Sequence, residues 1–306
     1  MEYCLFVEPQ QGGTFQQLSA AAVVAERAGF TGFFRSDHYL PIWDRSAPGT
    51  TDSWTTLAGI ARDTSTIQLG TLVSSATFRH PAVLAIQVSD VAAASDGRVA
   101  LGIGAGWFER EHQTLGIEYP ADRFDRYEEQ VAVIDALLRT PVGRTVNADG
   151  PRYPLVDAPG LGVEGRPIPL IIGGGGPRRT PALAARYAAE YNIFRAPGEV
   201  GAHIARVRAA AEAISRDPDE LRYSAAMQVV VAEDAHDLER RARLGGFELE
   251  AGLRDPARAV GTPQAVIDRV AEYSAHGIDR VYLQQTDATD LDQIELLARE
   301  VLPHLP

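Results

Sequence analysis

Ser36-Asp37-His38-Tyr39 directly follows an apolar run that ends at Arg35. An imidazole with an ordinary pKa of about 6.5 can give or take a proton near neutrality, so His38 is the candidate for proton transfer. Asp37 beside it can accept hydrogen bonds from a ligand. Neighbours in a regular strand point to opposite faces, so both reach one ligand only if the strand ends before them. The structural alternative is an aspartate that caps the turn and a histidine that satisfies a carbonyl. A second concentration is the run Gly173 to Gly176. Without Cβ atoms this backbone can approach an anion, and the amides of a following helix would point at it. The alternative is a tight turn that needs positive φ. No Gly-Lys-Ser/Thr follows, so it is not a nucleotide P-loop. Gly102-Ile103-Gly104-Ala105-Gly106 likewise misses the dinucleotide fingerprint, whose third glycine sits three after the second. Trp43 and Trp107 can wall a planar ring or serve in a core. His112, on a polar helix turn, reads as solvated, and His80, before a proline, as structural.

These residues need elements to hold them. Tyr3 to Val7, Phe30 to Arg35, Ile67 to Val73, Val99 to Ile103, Pro169 to Ile172, Tyr191 to Phe194, Tyr223 to Val231 and Arg280 to Gln284 read as strands. Helical patterns lie between them. Thr14 with Gln17 matches a capping box, Asp52 or Ser53 caps the next helix, and His80-Pro81, Thr180-Pro181 and Thr262-Pro263 open others. Asp149-Gly150 marks a hairpin within residues 140–168. Residues 241–258 give no clear signal. Eight strand-helix repeats predict an α/β fold, a (β/α)8 TIM barrel, with insertions after strands 2, 4 and 7 and residues 1–306 as one domain. In such a barrel the chemistry gathers at the strands' C-terminal ends. Beyond Asp37 and His38 those ends offer Ser74, Ser75 and Thr77, then Gly104, Gly106, Trp107, Glu109 and Glu111. Later ends offer the glycine run, Arg195, Gln228, Gln284 and Gln285.

Composition narrows the classes. The 306 residues are 45% hydrophobic and 23% charged, as in globular proteins. No apolar run reaches membrane-spanning length and no basic leader precedes the first strand, so no membrane partner is expected. One cysteine, Cys4, excludes an internal disulfide and a multi-cysteine metal site, and fits a cytoplasmic setting. No metal is expected. A net charge of −12 argues against nucleic acid, and obliges any phosphate site to use backbone N–H groups or local arginines.

With these residues assembled, the chain resembles the luciferase-like flavin and deazaflavin oxidoreductases, in the branch that uses coenzyme F420. The resemblance rests on Ser36-Asp37-His38, Asp52 to Leu57, Leu69 to Ala85, Gly97-Arg98, Leu101 to Trp107, Glu111-His112, Arg123-Phe124, Tyr153 to Leu155 and Ile171 to Pro177. It thins beyond about residue 195. It implies a deazaflavin ring at the barrel mouth, backed by a bulge with a non-proline cis peptide at Leu72-Val73 or Val73-Ser74. It implies a cofactor phosphate on Gly174, Gly175 and Gly176, and ring or side-chain contacts from Asp37, Ser75, Ala105 and Gly106. Leu72, Val73, Ser74, Trp107 and Arg195 complete the expected cofactor contacts. Arg110, Arg178, Arg179 and Arg195 are candidates for the polyglutamate tail.

The implied reaction is hydride transfer between the deazaflavin C5 and a small organic substrate, expected as reduction of an activated C=C or C=N bond with His38 as proton partner. Sugar-phosphate dehydrogenases of the family place a glutamate after the strand-four glycines, where this chain has Trp107. An FMN-dependent monooxygenase on the same barrel, with O2 and a partner reductase, is the alternative cofactor reading. A non-catalytic ligand-binding barrel is another. Lysine is absent and every basic residue is arginine, which excludes Schiff-base chemistry and suggests a GC-rich, actinobacterial coding sequence. The resemblance further implies a homodimer, with helices near residues 53–63 and 80–95 as candidate contacts.

Overall fold

The structure, a computed structural model, describes residues 1–43, 51–163 and 165–306. β1 (Glu2–Val7) runs into the core and is followed by α1 (Phe15–Arg27). Thr14 and Gln17 form the predicted capping box. α1 ends on Gly29 at φ +88°, with the Gly29 and Phe30 amides bonded back to Glu26 and Ala25. That closing motif uses Phe30, so β2 (Gly32–Arg35) starts later than the apolar run predicts. Asp52 caps α2 (Ser53–Asp63), which leads to β3 (Gln68–Ser75). The His80 ring accepts from the Ala82 amide and Pro81 opens α3 (Pro81–Ala94), so His80 is structural as expected. β4 (Val99–Gly104) is followed by α4 (Glu109–Leu115) and α5 (Arg123–Arg139).

The hairpin read around Asp149-Gly150 is present as β5 (Thr145–Ala148) and β6 (Leu155–Pro159), paired antiparallel. β7 (Leu170–Gly173) ends in the glycine run and feeds α6 (Arg179–Tyr187). The predicted cap Thr180 lies inside that helix, whose cap position is Arg178 with no side-chain bond. β8 (Glu190–Ile193), α7 (Pro197–Ala213) and β9 (Arg222–Val231) follow. α8 (Ala235–Leu244) runs into the stretch without clear signal, α9 (Leu249–Arg254) lies within it, and an additional strand, β10 (Arg258–Gly261), begins at its end. α10 (Pro263–Ser274), β11 (Arg280–Gln285) and α11 (Leu291–Leu296) close the chain.

Eight parallel strands close in the order β1-β2-β3-β4-β7-β8-β9-β11, with β11 pairing back to β1 and β8 to β9. This is the predicted (β/α)8 barrel, and the extra segments follow its second, fourth and seventh strands. β10 extends the sheet beside the far end of β9, at Gln228 to Val231. Inside the barrel, Cys4, Phe6, Phe34, Leu72, Ala100, Ile171, Ala226 and Tyr282 form one cluster. The alternate residues of the same strands face the helices in the larger core. At the strands' N-terminal ends, Arg280 pairs with Glu190 at 3.0 Å and with Glu2. The chemistry is thereby left to the opposite end. No described helix is long and apolar enough to cross a membrane.

Candidate active site

β2 ends at Arg35, so Asp37 and His38 lie beyond the strand and escape its alternation. His38 is mostly buried, and its Nδ1 lies 3.0 Å from Glu111 Oε2 on α4. Glu111 is fully buried. Its other oxygen accepts the amides of Tyr39 and Leu40, so one carboxylate fixes both the imidazole and the loop behind it. Burial is the largest influence on His38 and lowers its pKa. The Glu111 hydrogen bond and the charges of Glu111, Glu8 and Asp37 outweigh it, so the net shift is upward from 6.5. A raised folded-state pKa gives stability that is complete below about 6.5 and is lost as pH rises through the higher value. Replacing Glu111 by glutamine removes the charge that holds this shift. The alkaline limb of any His38-dependent activity then moves to lower pH, which a pH–rate profile of the variant checks.

The Asp37 carboxylate lines the cavity and is held from behind. Arg79 clamps both its oxygens, at 2.5 and 3.2 Å, and also reaches Asp52 Oδ2 at 2.5 Å. The Tyr39 hydroxyl donates to Asp52 and accepts from Arg79. Asp37 is thus a paired wall residue rather than a free acceptor.

The β3–β4 register shifts between Thr71 and Ser74, and the Leu72–Val73 peptide is cis. Leu72, Val73 and Ser75 face the cavity. Ser74 does not: it is buried, accepts from the Trp54 indole at 3.0 Å and donates to Thr71 at 3.2 Å. Its expected cofactor contact is corrected accordingly, because the bulge turns it toward α2. Ser75 is linked through Thr77 to His112, each step 2.6 Å. His112 is only 1% exposed, so the solvated reading of it is also corrected. Its Nδ1 lies 2.9 Å from the Phe108 carbonyl, which can only accept. In the neutral imidazole Nε2 then accepts from Thr77, Thr77 accepts from Ser75, and Ser75 offers lone pairs to the cavity.

Across the barrel mouth, Gly174, Gly175 and Gly176 line the cavity with Arg195 and Thr180. A Cβ on Gly175 would stand 2.7 Å from Arg195 Nη2, so the bare backbone keeps the guanidinium close. Arg195 donates to the Phe194 carbonyl and pairs with no carboxylate among the described residues. Thr180 is buried in the first turn of α6 beside this loop. Burial, then the Arg206 and Arg195 charges, lower the His203 pKa and keep that cavity-lining imidazole neutral. Arg179, by contrast, is taken by Glu128 and Asp125, and Arg110 by the Pro41 carbonyl.

Ala105, Gly106 and Trp107 complete the wall, with Trp107 edge-on to His38 at 5.6 Å. The cavity measures about 520 Å³. Trp43 lies instead against Gly246. Gln228 and Gln285 bond elsewhere, to Gly245 and Thr286 and to Asp287 and Asp290. The sequence reading missed Glu8, which stands just past β1 and lines the cavity; the strand-end rule applied to β1 would have found it. His203 sits on a helix and gave no such signal. Of the loop at 40–51, residues 44–50 lie outside the described residues.

Several known proteins resemble this chain. An F420-dependent glucose-6-phosphate dehydrogenase of Amycolatopsis mediterranei is 35% identical over 55% of this chain, which spans 48% of that protein. A protein of the same name from Beutenbergia cavernae is 28% identical over 95% of this chain and 93% of its own length. The chain therefore spans about half the length of most of the curated relatives it matches and nearly all of the Beutenbergia one. A solved F420-dependent secondary alcohol dehydrogenase superposes with a TM-score of 0.82 at 21% identity, covering 100% of this chain and 99% of that one. That likeness concerns the fold. The sequence model of the luciferase-like monooxygenases matches residues 1–249, which hold seven of the eight barrel strands, the bulged third strand among them, and the glycine loop: the chain belongs to that family.

Proposed function

We propose that the protein is an F420-dependent oxidoreductase that moves a hydride between the deazaflavin and a small organic substrate. The observation that carries this reading is the division of one cavity between an anion cradle and a proton-transfer pair. The residues fit such a cofactor. At Gly175 the bare backbone lets the Arg195 guanidinium lie against the loop, Arg195 has no carboxylate to neutralise it among the described residues, and about 520 Å³ suits a cofactor-sized ligand. The names of the curated relatives support F420 over FMN. When bound, the deazaflavin supplies the carbon that gives or takes the hydride.

The remaining work falls to the chain. Gly174 to Gly176, Thr180 and Arg195 would hold the phosphate. Leu72, Val73, Ala105 and Gly106 would flank the ring, and Ser75 would accept a ring N–H. His38 holds or delivers the proton, oriented by Glu111. In the reductive direction it acts as an acid on the substrate atom beside the hydride-accepting carbon. Anaerobic mixing of the protein with reduced F420 and a panel of imines and activated alkenes tests this, read by the return of the oxidised cofactor's absorbance. Substrate-dependent oxidation supports the reading, and dependence on oxygen overturns it. Arg195→Gln should weaken F420 binding about ten-fold or more, since charge-assisted hydrogen bonds contribute about 1.5–3 kcal/mol. A fluorescence titration of the variant checks this.

We also propose a homodimer through α3, whose Val83 and Ile86 lie three apart and are each 50% exposed. Ile86→Asp should then sediment as a monomer. A cytoplasmic setting fits a buried, free Cys4 thiol.

A further inference from the structure

The cavity is electrically divided. In the ring of eight strands, β1 stands opposite β7, four strands away in either direction. Glu8 at the end of β1 therefore faces the glycine cradle and Arg195 across the mouth. The three carboxylates among the described cavity-lining residues are compensated very differently. Asp37 has the Arg79 fork, and Glu111 has His38 and two backbone amides. Glu8 is 4% exposed; among the described residues its carboxylate is hydrogen-bonded only by neutral amides, Gln10 on one oxygen and Gln284 on the other, and its charge acts on the His38 imidazole without contacting it in an ion pair. Among the described residues it forms no ion pair.

The amides are themselves oriented. Ser36 donates to Gln10 Oε1 at 2.7 Å, which turns the Gln10 NH2 toward Glu8. Gln284 likewise spends an N–H on Glu8 and also lines the cavity. This end therefore presents acceptors: carboxylate lone pairs and a carboxamide oxygen. A buried carboxylate whose hydrogen bonds come only from neutral donors is costly to desolvate, and a cation in contact with it offsets that cost. An anionic ligand group there would be repelled. The one arginine among the described cavity-lining residues, Arg195, is on the far side.

We propose that the Glu8–Gln284 wall is a recognition subsite for a protonated nitrogen on the substrate, an amine or iminium, and that phosphorylated and carboxylated substrates are rejected there. This rests on the preceding functional reading only in taking this end of the cavity as the substrate's.

The test is calorimetric titration of the F420-loaded protein, and of the protein without cofactor, with benzylamine and with benzoate at neutral pH. Benzylamine should bind at least about ten-fold more tightly than benzoate, the minimum expected for a unit charge opposite a partly desolvated carboxylate. Glu8→Gln should bring the two within about two-fold of each other, because the charge is lost with the shape kept. Glu8→Asp, which keeps the charge, should retain the preference. Equal or tighter benzoate binding, a preference that survives Glu8→Gln, or no measurable benzylamine binding overturns the proposal. F420 affinity is measured on the same samples. Failure to bind F420 defeats the cofactor assignment, and the probe preference without cofactor still decides this one.

Discussion

Replacing His38 by alanine lowers turnover with reduced F420 by about 10²–10⁴-fold, the range of a positioned acid–base group. The loss falls on kcat, because the imidazole acts on the proton and not on the phosphate end of the cavity. In the wild type, reductive activity falls as pH rises through the raised His38 pKa, since the protonated form delivers the proton. The alanine variant should lose this alkaline limb as well as the rate. A variant with full activity, or with reduced activity and an unchanged limb, would remove His38 from the proton step.

Replacing Arg79 by methionine destabilises the fold by about 3–5 kcal/mol, the usual effect of stranding a buried charge. Arg79 and Asp37 are 8% and 1% exposed, and Asp52 shares the same guanidinium. Burial alone would raise the Asp52 pKa. The Thr55 amide and Arg79 outweigh it and hold the carboxyl at about 2, below the ordinary 3.8. A depressed carboxylate pKa contributes stability above 3.8 that is lost as pH falls through 2. The gap between wild type and variant is therefore widest near neutrality and narrows between these values. Urea unfolding of both proteins across that range measures it, and a gap independent of pH would contradict the pairing.

The barrel was legible because its strands are apolar, regularly spaced and punctuated by capping residues, as Thr14 with Gln17 shows. β10 was not, because four residues of mixed character show no alternation. Asp37 and His38 were legible because a strand ends just before them. Glu8 obeys the same rule and was passed over. The turn of the Ser74 side chain toward Trp54 was not legible, because the register shift of β3 that causes it has no local signature. His112 was misread because the polarity of its own helix turn hides a partner 35 residues earlier. The pairing of His38 with Glu111, 73 residues apart, is set by the barrel's closure and has no local signature.

We propose that the cavity binds F420 in preference to FMN. The most direct measurement is titration of the protein with F420 and, separately, with FMN, following the quenching of intrinsic tryptophan fluorescence. Trp107 lines the cavity and Trp54 packs behind the bulge, so occupancy should be visible. Tight binding of F420 with weak binding of FMN is the predicted result. The opposite preference would contradict the account and favour an oxygen-using monooxygenase served by a flavin reductase.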